Sequence, residues 1–208
     1  MKTFGRVLTA MITSFNEDGS VNIENSVAIA EHLLNHGSDG LVVCGTTGEN
    51  PTISRESKIA LFKAIAETCG DKGTIIANVG SNDTKGSVDF VKEVSTIPGI
   101  DGLLVVVPYY NKPNQQGQYL HFKSIAEATT LPIMVYNVPG RVGTGIFPAT
   151  LARLHKEYPH ICAIKEASGN LMIASEIKRL MPGEDFMVYS GDDGLTLPIL
   201  SVGGTGVI

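Results

Sequence analysis

Short apolar runs alternate along this chain with longer stretches in which apolar residues recur every three or four positions. The runs lie at 7–13, 41–45, 74–80, 103–108, 132–138, 161–167, 186–191 and 205–208, and most are continuously apolar, as parallel strands buried on both faces must be. Between them run helical stripes: Val27, Ala30, Leu33 and Leu34; Ile59, Phe62, Ile65 and Cys69; Phe122, Ile125 and Ala126; Leu151 and Leu154; Ile173, Ile177 and Leu180. Ser54 and Thr84 are placed as N-caps, and Pro148 suits a first helical turn. Eight strands joined by seven crossovers suit an open doubly wound sheet or a (β/α)8 TIM barrel, and the strand count favours the barrel. Such a barrel typically takes about 250 residues. The expectation is therefore a single α/β domain over residues 1–208, truncated within its eighth strand and lacking its last helix.

Charge and cysteine content narrow the function. Sixteen Lys and Arg against 21 Asp and Glu give a net charge of -5, so the basic footprint of a nucleic-acid binder is missing and small anions must be caught locally. No apolar run approaches the roughly 20 residues of a membrane span, and MKTFGRVLTA lacks a signal peptide's apolar stretch, so a soluble cytoplasmic protein is expected. Cys44, Cys69 and Cys162 are an odd number without CxxC spacing, which favours reduced thiols over disulfides or zinc.

In a barrel, polar residues that directly follow strands gather at one pole. After the second strand, Gly45-Thr46-Thr47-Gly48-Glu49 sets two hydroxyls between glycines, which suits a carboxylate, although an ordinary βα turn would read the same way; no Gly-Lys-Ser/Thr follows, so this is not a phosphate loop. The sixth strand ends in Ile164-Lys165-Glu166, where desolvation would favour the neutral amine that attacks a carbonyl; the alternative is a lysine that snorkels to solvent. Glu166 points to the opposite side of the strand by period two. Tyr136 with Arg141, and Tyr109 with Tyr110, bring phenols and a carboxylate-gripping guanidinium to the same pole, though each tyrosine alone reads as a packing residue. Asp192 and Asp193 resemble a metal pair, but an N-cap is the simpler use. His32 and His36 read as a solvated helix face, and Cys44 as a buried small hydrophobe.

Six motifs in order, GTTGE (45–49), PYYNKP (108–113), YNVPGR (136–141), IKEASGN (164–170), SGDD (190–193) and GGTGVI (203–208), resemble those of the dihydrodipicolinate synthase family over essentially the whole chain. The resemblance implies a (β/α)8 barrel followed by a small helical C-terminal domain, absent from this chain. It also implies condensation of pyruvate with L-aspartate 4-semialdehyde in lysine and diaminopimelate biosynthesis, with no metal or organic cofactor. Carried over by position, Lys165 is the Schiff-base lysine, and Tyr136, Thr46 and Tyr110 form a proton relay in which Tyr110 reaches a neighbouring subunit. Thr46 and Thr47 bind pyruvate's carboxylate, Arg141 binds the semialdehyde's carboxylate, and Gly191 and Ile208 offer backbone groups. A homodimer is implied, and a homotetramer as a dimer of dimers.

The resemblance leaves rivals. N-acetylneuraminate lyase and 2-keto-3-deoxy sugar acid aldolases share the lysine and tyrosine, but their hydroxylated substrates need hydroxyl partners where Arg141 stands. A catalytically idle binding barrel is the other alternative. The family's allosteric lysine site is matched by Asn82 and Tyr109, whereas Gly86 stands where a carboxylate would be and Arg55 and Lys58 replace two histidines. Weak inhibition by lysine, or none, is therefore expected.

Overall fold

The computed structural model describes residues 4–183 and 185–208. Eight parallel strands stand in the order β1 to β8: Leu8–Ala10, Gly40–Val43, Thr74–Asn78, Gly102–Val106, Ile133–Asn137, Ile161–Glu166, Met187–Ser190 and Gly206–Val207. A parallel bridge between Val7 and Val207 brings the last strand back to the first, so the sheet closes into the expected barrel. Closure needs a residue without a side chain at Gly206, where a Cβ would collide with the Arg6 carbonyl oxygen. The crossover helices are α1 (Ile23–Asn35), α2 (Arg55–Cys69), α3 (Thr84–Val94), α4 (Gln115–Ala126), α5 (Pro139–Val142) with α6 (Pro148–Glu157), α7 (Leu171–Leu180) and α8 (Thr196–Ser201).

The continuous apolar runs are explained by burial on both faces. Every residue of β2, β3, β5, β6 and β7 is buried, one set of side chains filling the barrel and the other meeting the helices. The strands are shorter than the apolar runs at their C-terminal ends: β2, for example, stops at Val43 because Cys44 turns to φ 54°, outside the extended region. Ser54 caps α2 by accepting the Ser57 N–H, and Pro148 opens α6, both as expected. Thr84 does not cap α3. Asp83 holds the cap position, and the Thr84 hydroxyl lies 2.9 Å from Nδ1 of buried His121, a side chain whose burial demands a partner. Among the described residues, no helix is long and apolar enough to cross a membrane.

Candidate active site

The pairing of β5 with β6 sets Tyr136 directly beside Lys165, and that of β6 with β7 sets Tyr189 on the other side, so these side chains share the inner face of the barrel. The next register pair, Asn137 and Glu166, faces outward. Asn137 Nδ2 donates to the Glu166 carboxylate at 2.8 Å, the Ser168 N–H donates to its other oxygen at 2.7 Å, and the side-chain Oδ1 of Asn137 accepts from the Ile146 N–H at 3.2 Å. This buried clamp ties the turn after Lys165 to the loop after Arg141 without entering the site. Glu166 is thus no partner of Lys165, as strand parity requires.

Lys165 is only 8% exposed, with Nζ 4.9 Å from the centroid of the Tyr136 ring. Burial pushes its ammonium down from 10.5 to about 8; the Asp193 carboxylate opposes that shift and the Arg141 guanidinium adds to it. A side chain at position 191 would crowd this lysine, because a Cβ there would lie 2.8 Å from Ala167 Cβ and 3.0 Å from both Cγ and Cε of Lys165. Glycine is required by space.

Around Lys165 opens a cavity of about 760 Å³ lined by Thr46, Thr47, Tyr136, Arg141, Gly191 and Ile208 among others. Seven of the positions assigned by resemblance therefore meet in one space. A second cavity of about 720 Å³ shares Thr46, Tyr136 and Arg141 with the first and adds Asn78, Tyr109, Tyr110 and Lys112. Tyr110 sits at this outer end, 88% exposed and at φ 67°. The GTTGE loop is fixed from below: the Thr13 hydroxyl donates to the Gly48 carbonyl at 2.8 Å, and Asn78 Nδ2 donates to the Cys44 carbonyl at 2.8 Å.

The supposed metal pair is resolved differently. Asp192 Oδ1 accepts the Gly194 N–H at 3.0 Å and caps a short turn, while Asp193 lends its charge to Lys165. Among the described residues no cluster of His, Cys, Asp and Glu could hold a metal ion. Cys44 is buried and its thiol is pushed up to about 12, mainly by desolvation, which makes it inert. His32 and His36 are exposed and stack on each other at 4.0 Å. Sequence reasoning missed Asp193 as an electrostatic neighbour and Asn78 as a cavity residue; Asn78 carried a signal, being a polar side chain at the end of an apolar strand, as Lys165 is.

A smaller cavity of about 220 Å³ between α2 and α3 gathers Arg55, Lys58, Gly86 and Tyr109, whereas Asn82 does not line it and accepts through its carbonyl from Asn111 Nδ2 at 3.3 Å. No carboxylate lines this cavity. Arg55 is paired with Glu93 at 2.7 Å, and burial lowers the pKa of the Lys58 ammonium, with the Cys44 thiol opposing.

The sequence profile of the Dihydrodipicolinate synthetase family matches residues 3–208. Two proteins named 4-hydroxy-tetrahydrodipicolinate synthase, from Desulforamulus reducens and Moorella thermoacetica, are each 52% identical over 205 residues, which is 99% of this chain and 69% of theirs. Among solved structures, dihydrodipicolinate synthase from Bacillus anthracis superposes with a TM-score of 0.96 at 43% identity, covering 100% of this chain and 70% of that one. The lysine-bound enzyme of Cyanidioschyzon merolae gives 0.95 at 45% identity, covering 99% and 69%.

Proposed function

This chain belongs to the dihydrodipicolinate synthetase family and is an aldolase-type lyase that condenses pyruvate with L-aspartate 4-semialdehyde in lysine and diaminopimelate biosynthesis; from that premise, we propose how its residues divide the work. The single observation that supports the assignment best is Lys165, a buried amine with a lowered pKa facing a cavity that also holds Tyr136, Thr46 and Arg141. Neutral Nζ adds to the keto carbon of pyruvate, and the former carbonyl oxygen leaves as water to give an imine. Protonation of the imine nitrogen and loss of a methyl proton give the enamine. Its carbon attacks the aldehyde, whose oxygen takes up a proton. The amine of the second substrate then adds to the imine carbon, passes a proton to Nζ, and the bond from carbon to Lys165 breaks as the ring closes.

Tyr136, Thr46 and Tyr110 are the proposed route for these protons, and Thr46 and Thr47 the grip on pyruvate's carboxylate. Gly191 and Ile208 lend backbone groups beside Lys165. Two cations, Lys165 and Arg141, draw two carboxylate substrates to a chain whose net charge is negative. Borohydride reduction with pyruvate, followed by peptide mass mapping, tests the reading: no adduct on Lys165 would remove its basis. Arg141→Lys should raise the KM for the semialdehyde by on the order of tenfold to a hundredfold with little change in that for pyruvate, because a point charge cannot copy a two-pronged contact. Equal damage to both KM values would show that Arg141 does not hold the second substrate.

Assembly and regulation extend the proposal. The exposed, left-handed Tyr110 suits a side chain that completes the site of a second copy, so we place this chain in a homodimer, and in a homotetramer built as a dimer of dimers. Sedimentation of the active protein checks it: an active monomer would refute the shared site. At the small cavity, a ligand with two ammonium groups meets Lys58 and no carboxylate, and unit like charges about 4 Å apart repel by about 1 kcal/mol even at water's dielectric constant. Calorimetry should therefore detect no submillimolar lysine binding, and lysine at that concentration should leave activity intact. Saturable binding with matching inhibition would show that Gly86 and Lys58 do not disable the site.

A further inference from the structure

Asn78 is the last residue of β3 and is 5% exposed. It pairs with Leu104, two positions before Val106, which in turn pairs with Tyr136; strand parity therefore turns its side chain into the barrel, on the face that carries Tyr136 and Lys165. One end of its amide is fixed. The donor Nδ2 gives its hydrogen bond to the Cys44 carbonyl, an acceptor that could not face Oδ1, so the orientation of the amide is determined. The other end, Oδ1, is buried without a hydrogen-bond partner.

A buried acceptor left unpaired is costly, and native chains keep such atoms rarely. Two others occur among the described residues, Gln118 Oε1 and His121 Nε2, but only Asn78 lines the second cavity together with Thr46, Tyr136 and Arg141. No carboxylate lines that cavity either. An amino-acid substrate whose carboxylate is held by Arg141 must still find acceptors for its amino group there, and they have to be neutral. That suits the chemistry, because a carboxylate would hold the group as ammonium, whereas ring closure needs the free amine.

We propose that Asn78 is a specificity-determining residue of the second-substrate pocket, its Oδ1 accepting a hydrogen bond from the amino group of the aldehyde substrate and turning that nitrogen toward the imine carbon. The inference rests on the assignment of Lys165 and Arg141 made above. It gives Asn78 a role distinct from propping up the GTTGE loop through Cys44, since a prop would act on pyruvate through Thr46 and Thr47.

The test compares two aldehydes in the full-length enzyme: L-aspartate 4-semialdehyde, and succinate semialdehyde, which keeps the carboxylate and aldehyde but has no amine. Asn78→Leu should raise the KM for the first about tenfold, leave the KM for pyruvate and the yield of borohydride-trapped imine unchanged, and, without borohydride, add succinate semialdehyde to the Lys165-bound enamine in the wild-type amount. Asn78→Ala, which removes the acceptor without filling its space, should show the same selectivity and decides the matter if the leucine variant does not fold. Equal loss with both aldehydes, no loss with either, or a raised KM for pyruvate would overturn the proposal. A wild-type enzyme that traps no pyruvate on Lys165 would overturn the underlying assignment instead.

Discussion

Replacing Lys165 with methionine should abolish turnover, by on the order of 10⁴-fold or more, and at the same time make the protein more stable. Both effects come from the same burial. The lysine is held with its ammonium largely out of water, and lowering its pKa from 10.5 to about 8 costs the folded state about 3 kcal/mol while the group is protonated. The sign follows from proton counting: below pH 8 both states are protonated and the full cost is present, and between about 8 and 10.5 the folded state sheds its proton first, so the cost fades. Methionine has a similar volume and no charge. Lys165→Met should therefore raise the melting temperature at pH 7, and its advantage over wild type should shrink as pH rises from 8 to 10.5. In wild type, the burial that costs stability supplies the nucleophile: at pH 7 about one tenth of a group with pKa 8 is neutral, against about one in three thousand at 10.5. The rate of imine formation should rise through pH 8 and then level. A variant of lower melting temperature with intact turnover would contradict both halves.

Gly191→Ala should cut turnover by about a hundredfold through a single added methyl. The new Cβ would sit 3.0 Å from Cγ and Cε of Lys165 and 2.8 Å from Ala167 Cβ, closer than carbon atoms approach, and the lysine shaft must move away. Displacements of about 1 Å at a reacting group are enough for a loss of that size. Moving the lysine does not relieve the contact with Ala167, so the backbone at 191 shifts as well, and the lysine shaft gives on its side. Overpacking should also cost about 1–3 kcal/mol of stability. Gly140, the second residue of α5 and with nothing within 4 Å of an added Cβ, supplies the contrast, and Gly140→Ala should leave stability nearly unchanged. Borohydride trapping separates the causes: Gly191→Ala should slow imine formation itself, and an unimpaired imine with slow turnover would place the methyl's effect at a later step.

Local pattern alone determined a great deal here. Strands buried on both faces must be continuously apolar, so eight such runs separated by amphipathic stretches favour a closed parallel barrel over an open doubly wound sheet, and the polar residues that end those runs gather at one pole. Lys165, Tyr136, Arg141 and the GTTGE loop stood out as candidates for that reason, while their roles came from the resemblance of the six motifs. Thr84 was misplaced by one residue because its hydroxyl serves buried His121, 37 positions away, and no local propensity carries that information. Tertiary structure alone decided the rest. The lowered lysine pKa depends on how completely neighbouring strands exclude water, and on Asp193 and Arg141 arriving from different loops. The need for glycine at 191 depends on the packing of β7's end against β6, and the pairing of Arg55 with Glu93 on two helices meeting across 38 residues. Asn78 shows the division within one side chain: the sequence places an amide at the end of an apolar strand, but only the register with β4 turns it inward, and only the carbonyl of Cys44 fixes which end of that amide is left without a partner.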